Sequence, residues 1–225
     1  MSKPACSAEP GAPPPRHNFE RIDGANGYIR CPVDIWRRML EDLTESTDRR
    51  RSGWDRLARV DWPIARAMAL SGDRRAPVLA AKALSRLGNG PIYFVILVAL
   101  VYFQPQGATA IALSGAASIL LLHCVYPTIK RSAARPRPRD LGIACPGAPA
   151  PLDRYSFPSG HVMTLTAALL PIVLAAPRVW PYGLATWAAM AWARLAVGDH
   201  FASDVAAGTL IGAGVSGLIA YWVVI

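Results

Sequence analysis

The stretch Met190–Asp204, MAWARLAVGDHFASD, begins small and apolar and ends by presenting Arg194, Asp199, His200 and Asp204 in close succession. Its apolar part predicts the end of a buried helix. Charges are costly where such a segment leaves a membrane or a core, so a cluster at that point marks a site rather than a solvated surface. Arg194 offers a fixed fork of donors that suits an oxyanion, and His200 carries a nitrogen able to attack an electrophile or shuttle a proton. If residues 200–204 are helical, Asp204 lies one turn beyond His200 on the same face, where it could orient the imidazole. One element would then hold an anion clamp, a nucleophile and its orienter.

The surroundings of this stretch set the fold. The chain has 225 residues, of which 52% are hydrophobic, and a formal net charge of +9. No Asp, Glu, Lys or Arg stands between Arg86 and Lys130, or between Asp204 and Ile225. A helix of about 20 apolar residues crosses a bilayer, so these runs predict transmembrane segments. The positive charge could point to nucleic acid, but the arginines crowd the ends of apolar runs and the polar head of the chain, the pattern of basic flanks on a membrane protein. A nucleic-acid partner is therefore not expected. Cys6, Cys31, Cys124 and Cys145 show neither a close pair nor metal-ligand spacing. Cys124, inside an apolar run, reads as a small buried hydrophobe.

In chain order, residues 1–17 are rich in Pro, Ala, Gly and Ser and lack a signal-peptide core, which predicts a disordered tail. Helical periodicity over residues 32–52 fits an amphipathic helix, lying on the membrane surface or packed on the rest of the protein. Residues 54–75 mix Trp54 and Trp62 with too many charges for a span, so an interfacial position is expected. Spans are expected at residues 87–103, with a lead-in helix from Ala76, and at residues 108–126, ended by Pro127. Further spans are expected at residues 162–176, 179–197 and 205–224, all helical because backbone polar groups in lipid must be satisfied within a segment. Gly208 and Gly212 in the last are small residues that let membrane helices approach closely. The fold class is thus all-α: an integral membrane bundle of about five transmembrane helices with an N-terminal interfacial segment. Residues 1–75 form the tail and surface helices, and residues 76–225 the membrane-embedded domain.

Three clusters carry chemistry: Lys130–Pro138 (KRSAARPRP) after the second span, Phe157–His161 (FPSGH) before the third, and Arg194–Asp204 after the fourth. Alternating helix directions put all of them on one membrane face. Taken singly, basic residues are ordinary membrane flanks, Ser159 could be a helix cap and His123 a satisfied helix residue. Those readings do not explain why two histidines and several cations converge. The pattern Lys130-x6-Arg137-Pro138, Pro158-Ser159-Gly160-His161 and Arg194-x5-His200-x3-Asp204 resembles the three-part signature of the type 2 phosphatidic acid phosphatase superfamily. That group joins lipid phosphate phosphatases, bacterial acid phosphatases and vanadium haloperoxidases. The resemblance covers residues 87–225, and Ala193 stands where the family usually has serine.

The resemblance implies a membrane lipid phosphatase without a metal or other cofactor. Lys130, Arg137 and Arg194 would bind phosphate, with Ser159 and the Gly160 amide as further donors at a helix N-terminus. His200 would form a phosphohistidine, oriented by Asp204, and His161 would protonate the leaving group and then activate water. Arg135 could assist at the site, but a loop or headgroup contact is expected rather than direct catalysis, and Asp199 is expected to cap a helix or pair with an arginine. The expected partners are the bilayer and a lipid phosphate: phosphatidate-like, phosphatidylglycerophosphate, or polyprenyl phosphate or diphosphate. Phosphotransfer to an alcohol and a non-catalytic scaffold of the same fold are the alternatives. A basic N-terminal segment on the same face as the site predicts that this face is cytoplasmic, in a bacterial-type inner membrane.

Overall fold

A computed structural model describes residues 49–69, 75–103, 107–143, 145, 147–148 and 150–223. The expected tail at residues 1–17, most of the helix expected over residues 32–52 and positions 104–106 of the first turn lie outside them. Among the described residues the architecture is helical, as the apolar periodicity predicts: α1 (Arg49–Met68), α2 (Arg75–Leu87), α3 (Pro91–Phe103), α4 (Ala108–Ala133), α5 (Gly160–Ala175), α6 (Trp180–Ala196) and α7 (Ala202–Val223). Short 3-10 turns stand at Pro138–Leu141 and Pro177–Val179. The expected lead-in helix is α2, which meets α3 at a bend of 68°. Gly88-Asn89-Gly90 makes that bend, with Gly90 at φ 153°, a backbone region that side chains disfavour.

Helix α5 lies at the centre, packed against α4, α6 and α7. Its closest neighbour is α7, and glycines set that approach: a Cβ at Gly208 would come within 2.6 Å of the Ser159 carbonyl, and one at Gly212 would collide with the Met163 carbonyl. This crossing holds the start of α5 against the start of α7, so it fixes the relative height of the second and third sequence clusters. Helix α1 packs on α6 and α7, and an apolar cluster of Ala65, Ile143 and Phe201 with Trp62 and Leu141 joins it to the loops beside them.

The outward surface is apolar where lipid would lie. Phe94, Val98 and Val101 on α3, Leu113 and Leu120 on α4, and Leu210 and Leu218 on α7 are all exposed. Exposed aromatic residues gather at the end away from the three clusters: Tyr102 and Phe103 end α3, Trp180 and Tyr182 begin α6, and Tyr221 and Trp222 end α7. That is the placement of an interfacial aromatic belt. Two helical stretches, Ala108–Leu141 and Ala202–Val223, are long and apolar enough to cross a membrane, or three if the bent α2–α3 pair counts as one span. The expected five segments correspond in order to α3–α7. Helix α5, however, has 16 residues and α6 has 17, about 24–26 Å at the usual rise.

Two local expectations are corrected. Helix α4 does not end at Pro127 but continues through it to Ala133. An interior proline costs about 3 kcal/mol, but the added turns carry Lys130 inward, where its Nζ donates to Asp153 Oδ1 and to the Tyr155 carbonyl, both at 2.5 Å. Charge-assisted hydrogen bonds of that kind offset the loss. Cys124 is exposed rather than buried, since it sits on the outward face of α4 while Leu122 turns inward.

Candidate active site

The end of α4, the start of α5 and the α6–α7 junction meet at one end of the bundle, as the alternation of helix directions predicts. Gly198, at φ 76°, ends α6 in a left-handed turn. The Asp199 and His200 amides then both fold back on the Arg194 carbonyl, at 3.2 and 3.3 Å. His200 is thereby held in a short connection between helices and is 2% exposed.

The surroundings of His200 define its two nitrogens. Nδ1 lies 2.7 Å from the Ser156 carbonyl, which can only accept, so Nδ1 carries the proton. Nε2 is then the unprotonated nitrogen, and it faces Arg137 Nη1 and Arg194 Nη2, each at 3.5 Å. Burial first, and then the charges of Arg194 and Arg137, hold this imidazole well below its usual range, so it is neutral. Asp204 is less direct than expected: its Oδ2 stands 3.8 Å from Nδ1, beyond hydrogen-bond reach, and accepts from the Phe201 amide at 2.8 Å. Helix α7 begins only at Ala202, so residues 200–204 are not one regular turn, and the main-chain carbonyl of Ser156 takes the place next to the ring.

Arg137 and Arg194 line one cavity, and Lys130 stands beside it on Asp153, a carboxylate it shares with Arg137. Lys130, Arg137 and Arg194 are each at most 4% exposed, a burial that requires anionic partners. Arg194 Nη2 pairs with Asp199 at 2.7 Å, Arg139 Nε pairs with the other Asp199 oxygen at 2.9 Å, and Arg194 Nη1 donates to Ser85. Asp199 is thus the arginine partner expected from sequence. Arg137 Nη2 donates to Asp153 Oδ1 at 2.7 Å, the oxygen that also takes Lys130, and the Tyr126 hydroxyl donates to Asp153 Oδ2 at 2.9 Å. Burial raises the Asp153 carboxyl, but Lys130 and Arg137 outweigh it and hold the group below the ordinary carboxylate range. An ionised carboxylate therefore rests against two of the cations that a phosphate would draw on.

His161, on the first turn of α5, is seated against the α2–α3 bend. Its Nε2 lies 2.7 Å from Asn89 Oδ1, and any side chain at Gly88 would collide with the ring. Ser159 precedes α5 but makes no side-chain cap hydrogen bond. Its hydroxyl and Arg194 Nε are buried without a hydrogen-bond partner, which suits donors waiting for an acceptor. The Gly160 amide, at the N-terminus of α5, has no intrahelical acceptor, and a Cβ there would press on the Tyr126 hydroxyl at 2.5 Å. A cavity of about 600 Å³ opens over Arg137, Arg194, His161 and His200, with Tyr93, Ile119, Leu152 and Met163 on its apolar side. His123 lines it too, with Nδ1 satisfied by the Ile119 carbonyl at 2.8 Å. Chemically, a tetrahedral oxyanion here would meet guanidinium forks and unpartnered donors on several sides, with an unprotonated imidazole nitrogen facing it.

Four contributors escape a reading of the sequence: Ser85, Asn89, Asp153 and the Ser156 carbonyl. Asp153 alone carried a signal, as the one acid between the Arg137 and His161 clusters apart from Asp140. Arg135 is corrected from a loop or headgroup contact to a buried residue, 4% exposed. It forms ion pairs with both Asp61 and Asp204 at 2.6 Å, because its loop folds under α1.

The chain is similar to known phosphatases. The decaprenylphosphoryl-5-phosphoribose phosphatase of Mycobacterium tuberculosis is 33% identical over 157 residues, covering 65% of this chain and 81% of that protein. An undecaprenyl-diphosphatase of Sulfolobus acidocaldarius is 35% identical over 69 residues, 30% of this chain and 33% of that one. Two solved folds are similar. A transmembrane PAP2-type phosphatidylglycerolphosphate phosphatase from Bacillus subtilis has a TM-score of 0.51 at 19% identity, over 85% of this chain and 94% of the other. LpxE of Aquifex aeolicus has a TM-score of 0.53 at 23% identity, over 71% of this chain and 94% of the other. With the PAP2 superfamily profile matching residues 108–224, the chain belongs to the PAP2 superfamily and, within it, to the membrane lipid phosphatases.

Proposed function

We propose that the enzyme hydrolyses a phosphomonoester or diphosphate of a long-chain lipid through a phosphohistidine on His200. The observation that carries this reading is His200 Nε2, unprotonated and 3.5 Å from both Arg137 and Arg194, at the polar end of a cavity with an apolar side. Nε2 attacks phosphorus while the bond to the leaving oxygen breaks, and His161, entering the step as imidazolium beside the bound phosphate, gives that oxygen its proton and becomes neutral. His161 then takes a proton from water, the water oxygen attacks phosphorus, and the N–P bond breaks to restore His200. Lys130, Arg137 and Arg194, with the Ser159 hydroxyl and the Gly160 amide, hold the equatorial oxygens. Asp204 acts on the ring at longer range, as a charge facing the imidazolium that forms. Cationic side chains take the place of a metal, so turnover is expected to persist in chelator.

The relatives named for polyprenyl phosphates favour a polyprenyl phosphate or diphosphate over a two-tailed glycerophospholipid. The test is phosphate release by the detergent-solubilised enzyme from a panel of polyprenyl, phosphatidate and phosphatidylglycerol phosphates, with EDTA, and with an alcohol acceptor in parallel arms. We expect release from at least one lipid, undiminished by EDTA. A strict divalent-metal requirement would sink the mechanism, and formation of a phosphorylated alcohol without free phosphate would make the enzyme a transferase.

The site is proposed to face the cytoplasm. Lys82, Arg86, Arg131, Arg139 and Arg154 lie at its end of the bundle, against Arg178 at the other. A cysteine placed at Leu152, which is 76% exposed, in a variant without native cysteines should resist a membrane-impermeant maleimide until cells are lysed. Labelling from outside intact cells would reverse the orientation.

A further inference from the structure

The N-terminal helix α1 lies wholly outside the segment matched by the superfamily profile, yet it places a buried carboxylate against Arg135 and the start of α7, behind the site. Asp61 is 2% exposed. Its Oδ1 accepts the Ser203 amide at 2.9 Å and its Oδ2 accepts the Ser203 hydroxyl at 2.5 Å, so it caps the N-terminus of α7 from another helix. The same Oδ2 takes Arg135 Nη2 at 2.6 Å, and the other end of that guanidinium, Nη1, donates to Asp204 Oδ1 and to the Ser203 hydroxyl, each at 2.6 Å. Arg135 is further held between the rings of Trp54 from α1, at 4.9 Å, and Phe201, at 4.3 Å.

We propose that Asp61 is a positioning residue for the nucleophile, acting through Arg135 and the α7 N-terminus on Asp204 and so on His200. This rests on the phosphohistidine reading above. Attack by Nε2 leaves positive charge on the His200 ring, and Asp204 is the carboxylate nearest Nδ1. Arg135 alone would draw most of the Asp204 charge away from the ring. A second carboxylate on the far side of Arg135 divides that guanidinium between two anions, leaving Asp61, Arg135 and Asp204 with a net charge of about minus one beside the imidazole. The geometry serves the same end, because the Ser203 amide fixed by Asp61 immediately precedes Asp204. Helix α1 then belongs to the catalytic unit, and the division expected at residue 75 does not separate a dispensable segment from the enzyme.

The predicted signature is a loss of chemistry without a loss of phosphate binding. In Asp61→Asn, kcat per active site should fall about tenfold or more, active sites being counted by titration with orthovanadate. KM for the lipid phosphate and the vanadate Kd should change by less than about threefold, since Lys130, Arg137 and Arg194 are untouched. Asp61→Glu, which restores the charge, should recover part of the rate. A merely structural role would instead lower the number of titratable sites while each remaining site turned over normally, and that result would overturn the proposal. So would a loss of vanadate affinity as large as the loss of kcat. If the wild-type enzyme releases no phosphate from any lipid, the phosphatase reading falls and this inference with it. Normal kcat in Asp61→Asn beside an active wild type sinks the inference alone.

Discussion

Replacing His200 by alanine is expected to reduce lipid phosphate hydrolysis by ~10⁴-fold or more, the scale on which removing a covalent nucleophile acts. Among the described residues, His200 is the histidine with a ring nitrogen facing both Arg137 and Arg194 at 3.5 Å, whereas His161 turns Nε2 to Asn89 at 2.7 Å and His123 turns Nδ1 to the Ile119 carbonyl at 2.8 Å. The fold should survive, because the imidazole makes one strong hydrogen bond, to the Ser156 carbonyl, worth about 1 kcal/mol net. Vanadate should still bind, since the three cations and Ser159 remain, so a variant that binds vanadate but does not turn over isolates the nucleophile. Near-normal turnover would remove His200 from that role. The pH profile offers a second check with a definite sign. A nucleophile must be unprotonated, and burial with the charges of Arg194 and Arg137 holds the folded-state pKa of His200 far down. The acid limb of kcat/KM that belongs to His200 therefore lies well below ~6.5. A limb at about 6 would belong to the second ionisation of the substrate phosphate and should be shared by variants of other residues.

The helical membrane fold was legible because apolar runs free of charge leave few alternatives, and the meeting of the three clusters followed from alternating helix directions. What sequence could not supply are contacts between residues far apart in the chain. Ser203 and Asp61 are 142 positions apart, Arg194 and Ser85 are 109 apart, and His161 and Asn89 are 72 apart. Nothing in the type of those partners distinguishes them from ordinary surface residues. The Ser156 carbonyl is harder still, since a main-chain acceptor leaves no mark on residue identity, and a side-chain carboxylate four residues beyond His200 was the natural choice of orienter. Arg135 shows the same limit. In a run of sequence with Arg131, Arg137 and Arg139 its chemistry is that of its neighbours, and only burial under α1 separates it from them. Pro127 misled for a different reason: the tertiary demand for a buried Lys130 outweighed the local preference to stop the helix.

Replacing His161 by alanine should separate the two halves of the reaction. With a lipid phosphate, whose alkoxide leaving group needs a proton, turnover should fall by ~10²–10⁴-fold, the usual contribution of a positioned acid or base. With p-nitrophenyl phosphate the leaving group departs without help, so formation of the phosphoenzyme should be much less impaired. Its hydrolysis still requires a base to activate water, and His161 lines the same cavity as His200. The variant should therefore show a burst of nitrophenol of about one equivalent per enzyme and retain labelled phosphate, stable to alkali and lost in acid as expected of a phosphoramidate. A His161→Ala, His200→Ala double variant should retain no label, which ties the phosphate to His200. Equal losses on both substrates with no trapped phosphate would remove His161 from the roles of leaving-group acid and water-activating base. Asn89→Ala supplies the intermediate case: the ring keeps its chemistry but loses the acceptor that holds Nε2. Its deficit should be smaller than that of His161→Ala, and the two losses should not add when combined, because a residue that acts through His161 has nothing left to act on once the imidazole is gone.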